Sequence, residues 1–452
     1  VNRDLRRDLC TVVAAALLVV TAALVGVAIK RSKDVLHVGW PPLYANWLPH
    51  VGPGTPAALA VAVAVVAYGP ILAARLPWRR LLFASWATAT AWTFSLALVD
   101  GWHRGIARRL TTRYEYLQVI DRFDDIPATL RDFTHHILDG TPGQWPPHVA
   151  GHPPGATLTF VLLDRIGLGG GGWAGMWCIT GGATAVAAVL VTVRALADET
   201  LARRTAPFIV LAPAAVWMGT SADGYFAAVA AWSVALLALA VTARTKRRLW
   251  AASFGAGLLF GLTCYLSYGL TLFAVIGVGV LLLGRKRIRV LPFLLAGVAV
   301  IPLLFTLIGF NWWEAYRLLV ERYYQGAGGF RPYGYWVWAN LACTVLVVGP
   351  ATVAGLRRAT NVLLREREQL LPVRDMSRLT PEPRLALLVL AAFLALLVAD
   401  LSGMSKAETE RIWLPYALWL LAVGAFLPRS RAWLTAQAVL ALLLNHLLLT
   451  GW

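Results

Sequence analysis

Apolar runs of membrane-spanning length recur along the whole 452-residue chain, and no other feature of the sequence constrains its fold as tightly. Crossing hydrocarbon takes roughly 17–25 residues of helix. Only helices and closed barrels satisfy their backbone polar groups there. Runs of that kind lie near 11–29, 57–75, 81–99, 173–193, 225–243, 250–266, 269–284, 290–309, 339–355, 385–401, 413–427 and 432–449. Two shorter ones, 156–168 and 206–218, are ambiguous. The expected fold is therefore all-α, a polytopic bundle of about 12–14 spans. Only 14% of the residues are charged, against roughly a quarter in soluble domains. Val12 to Ile29 follows Arg3, Arg6 and Arg7 without a small-residue cleavage site, so it reads as a retained anchor. A single integral membrane unit over 1–452 is expected: three spans in 1–99, a large outer loop in 100–172, and the remaining spans in 173–452.

The net charge of +18 would suit a nucleic-acid partner, but the Lys and Arg excess sits in short clusters between spans. Such clusters mark cytoplasmic loops, so topology accounts for the charge and no nucleic acid is expected. Arg75 to Arg80, Arg194 with Arg203-Arg204, Lys246 to Arg248, Arg285 to Arg289, Arg357-Arg358 and Arg429 with Arg431 fall on one side only under one condition. Run 156–168 must not cross, while 206–218 must. That gives thirteen spans, with the N-terminus cytoplasmic and stretches 30–56, 100–172, 219–224, 310–338 and 402–412 outside. Lys30-Arg31-Ser32-Lys33 then lies outside against the rule, beside a Trp- and Pro-rich interfacial segment from Trp40 to Pro49. The inner loop 356–384 reads as a solvated helical linker. Cys10, Cys178, Cys264 and Cys343 are far apart in or beside apolar runs and read as packing residues.

Asp100 to Gly155 is the polar exception. It carries Asp100, Glu115, Asp121, Asp124, Asp125, Asp132 and Asp139, with five of the eight histidines. Spacing of Leu117, Ile120 and Phe123, and of Leu130, Phe133 and Ile137, predicts two short amphipathic helices lying along the interface. Ionisable groups gathered beside spans imply a site. For transfer of a sugar, Glu115, Asp100 and Asp121 are candidate bases, and cationic groups would steady a departing phosphate. Gly151-His152-Pro153-Pro154-Gly155 sets His152 in a rigid turn entering the membrane. Asp223, in Ser221-Ala222-Asp223-Gly224, is a lone acid between two spans. Lys406 and Arg411 open a late span and suit a phosphate, with Arg113 a weaker candidate. The aromatics of 310–338, Trp312 to Trp338, read as an interfacial belt of which a few could stack on a sugar. No fixed metal site is expected, although scattered carboxylates leave a divalent cation open.

These residues resemble a known group. Glu115-Tyr116, then His152-Pro153-Pro154 before an apolar helix, then Asp223 in a later short loop, is similar to the multi-span glycosyltransferases of the GT-C fold. The lipid A aminoarabinose transferase and the protein O-mannosyltransferases belong to that group. Tyr114-Glu115 stands where the group has Asp-Glu, His152 replaces its lysine, and two further spans precede the loop. The resemblance implies a polyprenyl-phosphate sugar donor, inverting transfer on the outer face to an envelope or secreted acceptor, and Tyr116 beside the substrate. The Arg-, Ala- and Leu-rich composition resembles that of actinobacterial membrane proteins, where polyprenyl-phosphate mannose and arabinose are common donors, and mannose is the expected sugar. A lipid or small-molecule transporter is the alternative, but the acids cluster in one loop rather than on broken mid-membrane helices.

Overall fold

The computed structural model describes residues 3–366 and 376–451. It is all-α apart from one short strand pair. Among the described residues, nine helices are long and apolar enough to cross a membrane: Arg3–Lys33, Thr55–Arg75, Trp78–Asp100, Gly170–Leu196, Ala222–Val241, Lys246–Leu266, Arg287–Ile308, Tyr333–Arg365 and Pro381–Leu401. Shorter apolar stretches Tyr268–Leu283 and Leu414–Phe426, the broken pair Glu199–Val210 and Ala215–Met218, and helix Ser430–Leu447 alternate with them. Nine of the expected passes thus stand, among the described residues, as helices long and apolar enough to cross, and the protein is a multi-pass membrane protein.

The two ambiguous runs take different forms. Helix Pro154–Arg165 begins at the proline pair and keeps both ends at one face. Gly155 abuts the Tyr265 carbonyl, where a Cβ would come within 2.5 Å, and Arg165 donates to the Phe123 carbonyl at 2.8 Å. The second run is helical from Glu199 onward, in two pieces separated at Pro213. Proline cannot continue the hydrogen-bond ladder, so the helix stops and restarts.

Contacts sort the connections onto two ends of the bundle. At one end Arg203 donates to the carbonyls of Ala73 and Leu76 at 2.7 and 2.8 Å. There, too, Arg384 donates to Leu283 at 3.0 Å. The buried Asp8 carboxylate is gripped by Arg357 and Arg358, each at 2.7 Å. This is the arginine-rich end. Helix Tyr333–Arg365 enters it; Arg367 and Glu368 of the expected inner linker lie outside the described residues. At the opposite end all five expected outer stretches meet. His50 reaches Asp100 at 3.2 Å, Thr220 donates to Gly105 at 3.1 Å, the Asp139 amide donates to Gln325 at 2.9 Å, and Arg331 donates to Leu36 at 3.0 Å.

Three local features differ from the sequence reading. The first loop helix is a 3-10 helix, Tyr116–Phe123, and its deepest residues are Tyr116, Val119 and Phe123, with Leu117 and Ile120 half-buried. Tyr116 is drawn inward because its ring stacks on Phe160 at 5.3 Å. In the second loop helix Leu130, Phe133 and Ile137 are buried as expected. The segment from Trp40 to Pro49 is folded against the bundle, with residues 41–43 and 45 buried, and contains a strand where none was expected. Within it, strand β1 (Ala45–Trp47) pairs antiparallel with β2 (Leu448–Thr450).

Polar residues inside the late passes are spent on neighbours. Asn340 donates to Asp400 at 2.9 Å, and Asn445 donates to Leu96 at 3.1 Å where helix Trp78–Ala97 tightens and ends. Helix Tyr333–Arg365 kinks at Gly349 (φ 75°), ahead of Pro350. Buried Gln437 bridges the break: its Nε2 donates to Val348 O at 2.9 Å and its Oε1 accepts from the Ala351 amide at 3.4 Å.

Candidate functional site

The site grows from two backbone segments pinned side by side. The His148 amide donates to the Tyr114 carbonyl at 3.0 Å, which brings the short turn Pro147–Ala150 against the start of the 3-10 helix. Glu115 occupies the residue before that helix, with extended backbone, so its side chain turns into the bundle and is buried. Its Oε1 accepts from His148 Nδ1 at 2.9 Å. Its Oε2 is buried and makes no hydrogen bond among the described residues. A buried carboxylate oxygen without a protein partner is costly unless water or a ligand satisfies it.

Behind Glu115, His152 Nδ1 donates to the His148 carbonyl at 2.8 Å and lies 3.1 Å from the Tyr116 hydroxyl. Its ring is enclosed by Tyr116 and Phe226, each centred 5.7 Å away. Burial pushes His152 down to about 4, so at neutral pH it is an uncharged hinge rather than a cation for a phosphate. Burial, then the neighbouring Asp223 charge, pushes the Tyr116 hydroxyl well up. His148 and His152 stand four residues apart, a spacing the sequence reading passed over. Their ring planes are nearly perpendicular, 84° apart, and their Nδ1 atoms serve different acceptors. Among the described residues, no three His, Cys, Asp or Glu side chains converge on a metal position.

The facing wall is a buried ion network. Ser221 caps helix Ala222–Val241 by accepting the Asp223 amide at 3.2 Å, which sets Asp223 in a first turn where negative charge is favoured. Arg411 donates to Asp223 at 2.5 Å and to Glu408 at 3.3 Å. Arg331 lies 3.5 Å from the same Glu408 carboxylate and donates to the Lys406 carbonyl at 2.8 Å. Burial opposes the charge of Arg411, but Asp223 and Glu408 outweigh it and hold the guanidinium above its ordinary range. Glu408 is likewise penalised by burial, yet Arg411 and Arg331 hold it low. For Glu410 burial outweighs the weaker pull of Arg411 and pushes it up to about 7, while its Oε1 accepts the Tyr44 amide at 2.8 Å.

Glu115, Tyr116, His148, Ser221, Arg109 and Arg411 line a common cavity of about 10 Å³, room for about one water molecule. The acid-bearing segment, the late arginine and the short loop of Asp223 therefore meet, as their sequence positions led us to expect. Other candidates lie apart. Asp100 is tied to Arg104, and to Arg109 at 3.1 Å, so it stands behind the cavity wall. Asp121 is exposed on the outer side of the 3-10 helix. Arg113 is exposed over the Tyr114 ring. Lys406 gives its ammonium to the Gly328 carbonyl at 2.8 Å and does not line the cavity with Arg411. The aromatic loop is mostly tied into the protein, Trp312 donating to Cys264 at 3.0 Å and Tyr335 to Ala22 at 3.0 Å.

His148, Arg109, Glu408 and Arg331 escaped the sequence reading. The four-residue spacing to His152 was a usable signal for His148. Nothing local marks Arg331, whose partners come from Leu36, Lys406 and Glu408.

No protein-family model matches the chain, and no curated protein matches it. Solved structures of the Archaeoglobus fulgidus oligosaccharyltransferase are distantly similar. The complex with Zn and sulfate is 16% identical, with a TM-score of 0.49 over 79% of this chain and 51% of that one. The apo form is 14% identical, with a TM-score of 0.48 over 76% and 50%. The complex of that enzyme, AglB, with an inhibitory peptide and a dolichol-phosphate is 13% identical, with a TM-score of 0.43 over 78% and 50%. The chain spans about half the length of each.

Proposed function

We propose that the protein is a membrane glycosyltransferase that moves a sugar from a polyprenyl phosphate to an acceptor hydroxyl, with Glu115 as general base. One observation carries this reading: a buried carboxylate with one oxygen held by His148 and the other bare, in a cavity walled by Arg411. Glu115 Oε2 takes the acceptor proton as the acceptor oxygen attacks the anomeric carbon. The bond from that carbon to the phosphate oxygen breaks, and its electron pair stays on the phosphate. His148 holds the carboxylate in place and shares its charge as the proton arrives. Arg411, fixed as a cation by its carboxylate partners, faces the charge that develops on the leaving group.

A cavity this small does not admit a sugar, so the Glu115 and Arg411 walls part when donor binds; closure then excludes water. The clustering of arginines at the opposite end supports an outer position for this face. Tyr116 and His152 position Glu115 from behind.

The test is sugar release by the purified protein from radiolabelled polyprenyl-phosphate donors. Mannose, the sugar that the resemblance implies, is tried first. Wild-type protein is expected to release labelled sugar. Glu115→Gln should lower the rate by about 100-fold or more while retaining the wild-type melting profile. Full activity in that variant removes Glu115 as base, and no release from any polyprenyl-phosphate sugar removes the function.

A further inference from the structure

The arginine-rich end carries a second site. Helix Thr55–Arg75 and helix Ser430–Leu447 run side by side in opposite directions. Their loop-face ends are joined where the Thr55 hydroxyl meets His446 Nε2 at 2.9 Å. Arg75 closes the first helix, about 30 Å from Thr55 at 1.5 Å per residue, and Arg429 and Arg431 flank the start of the second. Between them lies a groove of about 530 Å³ lined by these arginines, Ser430, and an apolar floor that includes Pro70, Ile71 and Ala74. No acidic residue lines it. Arg431 donates to the Ala67 carbonyl at 3.0 Å, which fixes its guanidinium within the groove.

We propose that this groove binds the phosphate of an anionic phospholipid, with an acyl chain lying along the apolar floor. Three guanidiniums without a carboxylate complement a phosphodiester, which arginine engages through paired donors. The floor rises from Arg75 through Ala74 and Ile71, both exposed, to half-buried Pro70, one turn and more toward the membrane centre. A free phosphate would use the arginines and leave that floor unused. Basic positions at the membrane surface attract anionic headgroups in just this arrangement. The site stands on the opposite end of the bundle from Glu115 and is independent of the glycosyltransferase reading.

The full chain is placed in nanodiscs of phosphatidylcholine alone or mixed with phosphatidylglycerol, and melting is followed through its twenty tryptophans. Wild-type protein should melt several degrees higher with phosphatidylglycerol, since a ligand that binds only the folded state raises the midpoint. The double variant Arg75→Gln/Arg429→Asn should lose most of that gain while matching wild type in phosphatidylcholine. Asn suits the left-handed backbone at Arg429 (φ 54°). Arg247→Gln/Arg248→Gln, elsewhere among the basic clusters, should keep the gain. Should the double variant be unstable in phosphatidylcholine, Arg75→Gln alone should still halve the gain. The proposal falls if wild type gains nothing, if the groove variants keep the full gain, or if the control loses as much. An equal rise from inorganic phosphate in phosphatidylcholine discs would make the ligand a free anion and overturn the lipid assignment.

Discussion

Glu410 shows how one buried side chain sets a pH response. Its folded pKa, about 7, stands above the ordinary carboxylate value because burial disfavours the charge and Glu408 adds repulsion. The folded protein therefore holds a proton that the unfolded chain has already released. Its contribution is complete below the unfolded pKa and is lost as pH rises through 7. Glu410→Gln keeps an acceptor for the Tyr44 amide and removes the titration. Unfolding midpoints measured between pH 4.5 and 7.5 should fall more steeply for wild type than for this variant, by an amount on the order of 3 kcal/mol across the window; parallel curves would refute the assignment. Sequence alone did not separate such residues. Asp100, Glu115 and Asp121 are alike as letters in one polar stretch. What distinguishes them is Arg109 and His50 closing on Asp100, solvent on Asp121, and His148 with a small buried cavity on Glu115.

At the scale of elements, spans were legible to within a few residues, because hydrophobic length and basic clusters act locally and need no knowledge of partners. Run 156–168 shows the method at its best: charge parity alone kept it from crossing, and its contacts with Tyr265 and Phe123 keep it at one end. Less legible were irregular pieces, whose backbone is settled by distant groups. The kink at Gly349 is one: Pro350 announces a break, but Gln437 supplies the bonds that make the break tolerable within the bundle. Gln437→Leu strands a buried carbonyl and a buried amide, each costing about 1–3 kcal/mol. A clear drop in melting temperature is expected; an unchanged one would mean that the kinked helix relaxes without its bridge. Gly349 itself admits no side chain, since a Cβ there would meet Gln437 Oε1 at 1.9 Å.

For the molecule as a whole, the two ends differ in kind: one gathers arginines, the other gathers the polar loops and the cavity. Their assignment to the two sides of a membrane is testable by thiol labelling in a background lacking exposed Cys10. A cysteine at Asp121 should react with an impermeant reagent in intact cells, and one at Arg79 only after permeabilisation. The reverse pattern would invert the protein and place its chemistry in the cytoplasm. The pairing of β1 with β2 has a temporal consequence. Arg109 donates to the Thr450 carbonyl and Gly451 completes the cavity lining, so residues made early wait for residues made some 340 positions later. A nascent chain still threading through the translocon has a breached chamber at Glu115. On the glycosyltransferase reading, competence waits on the docking of helix Ser430–Leu447.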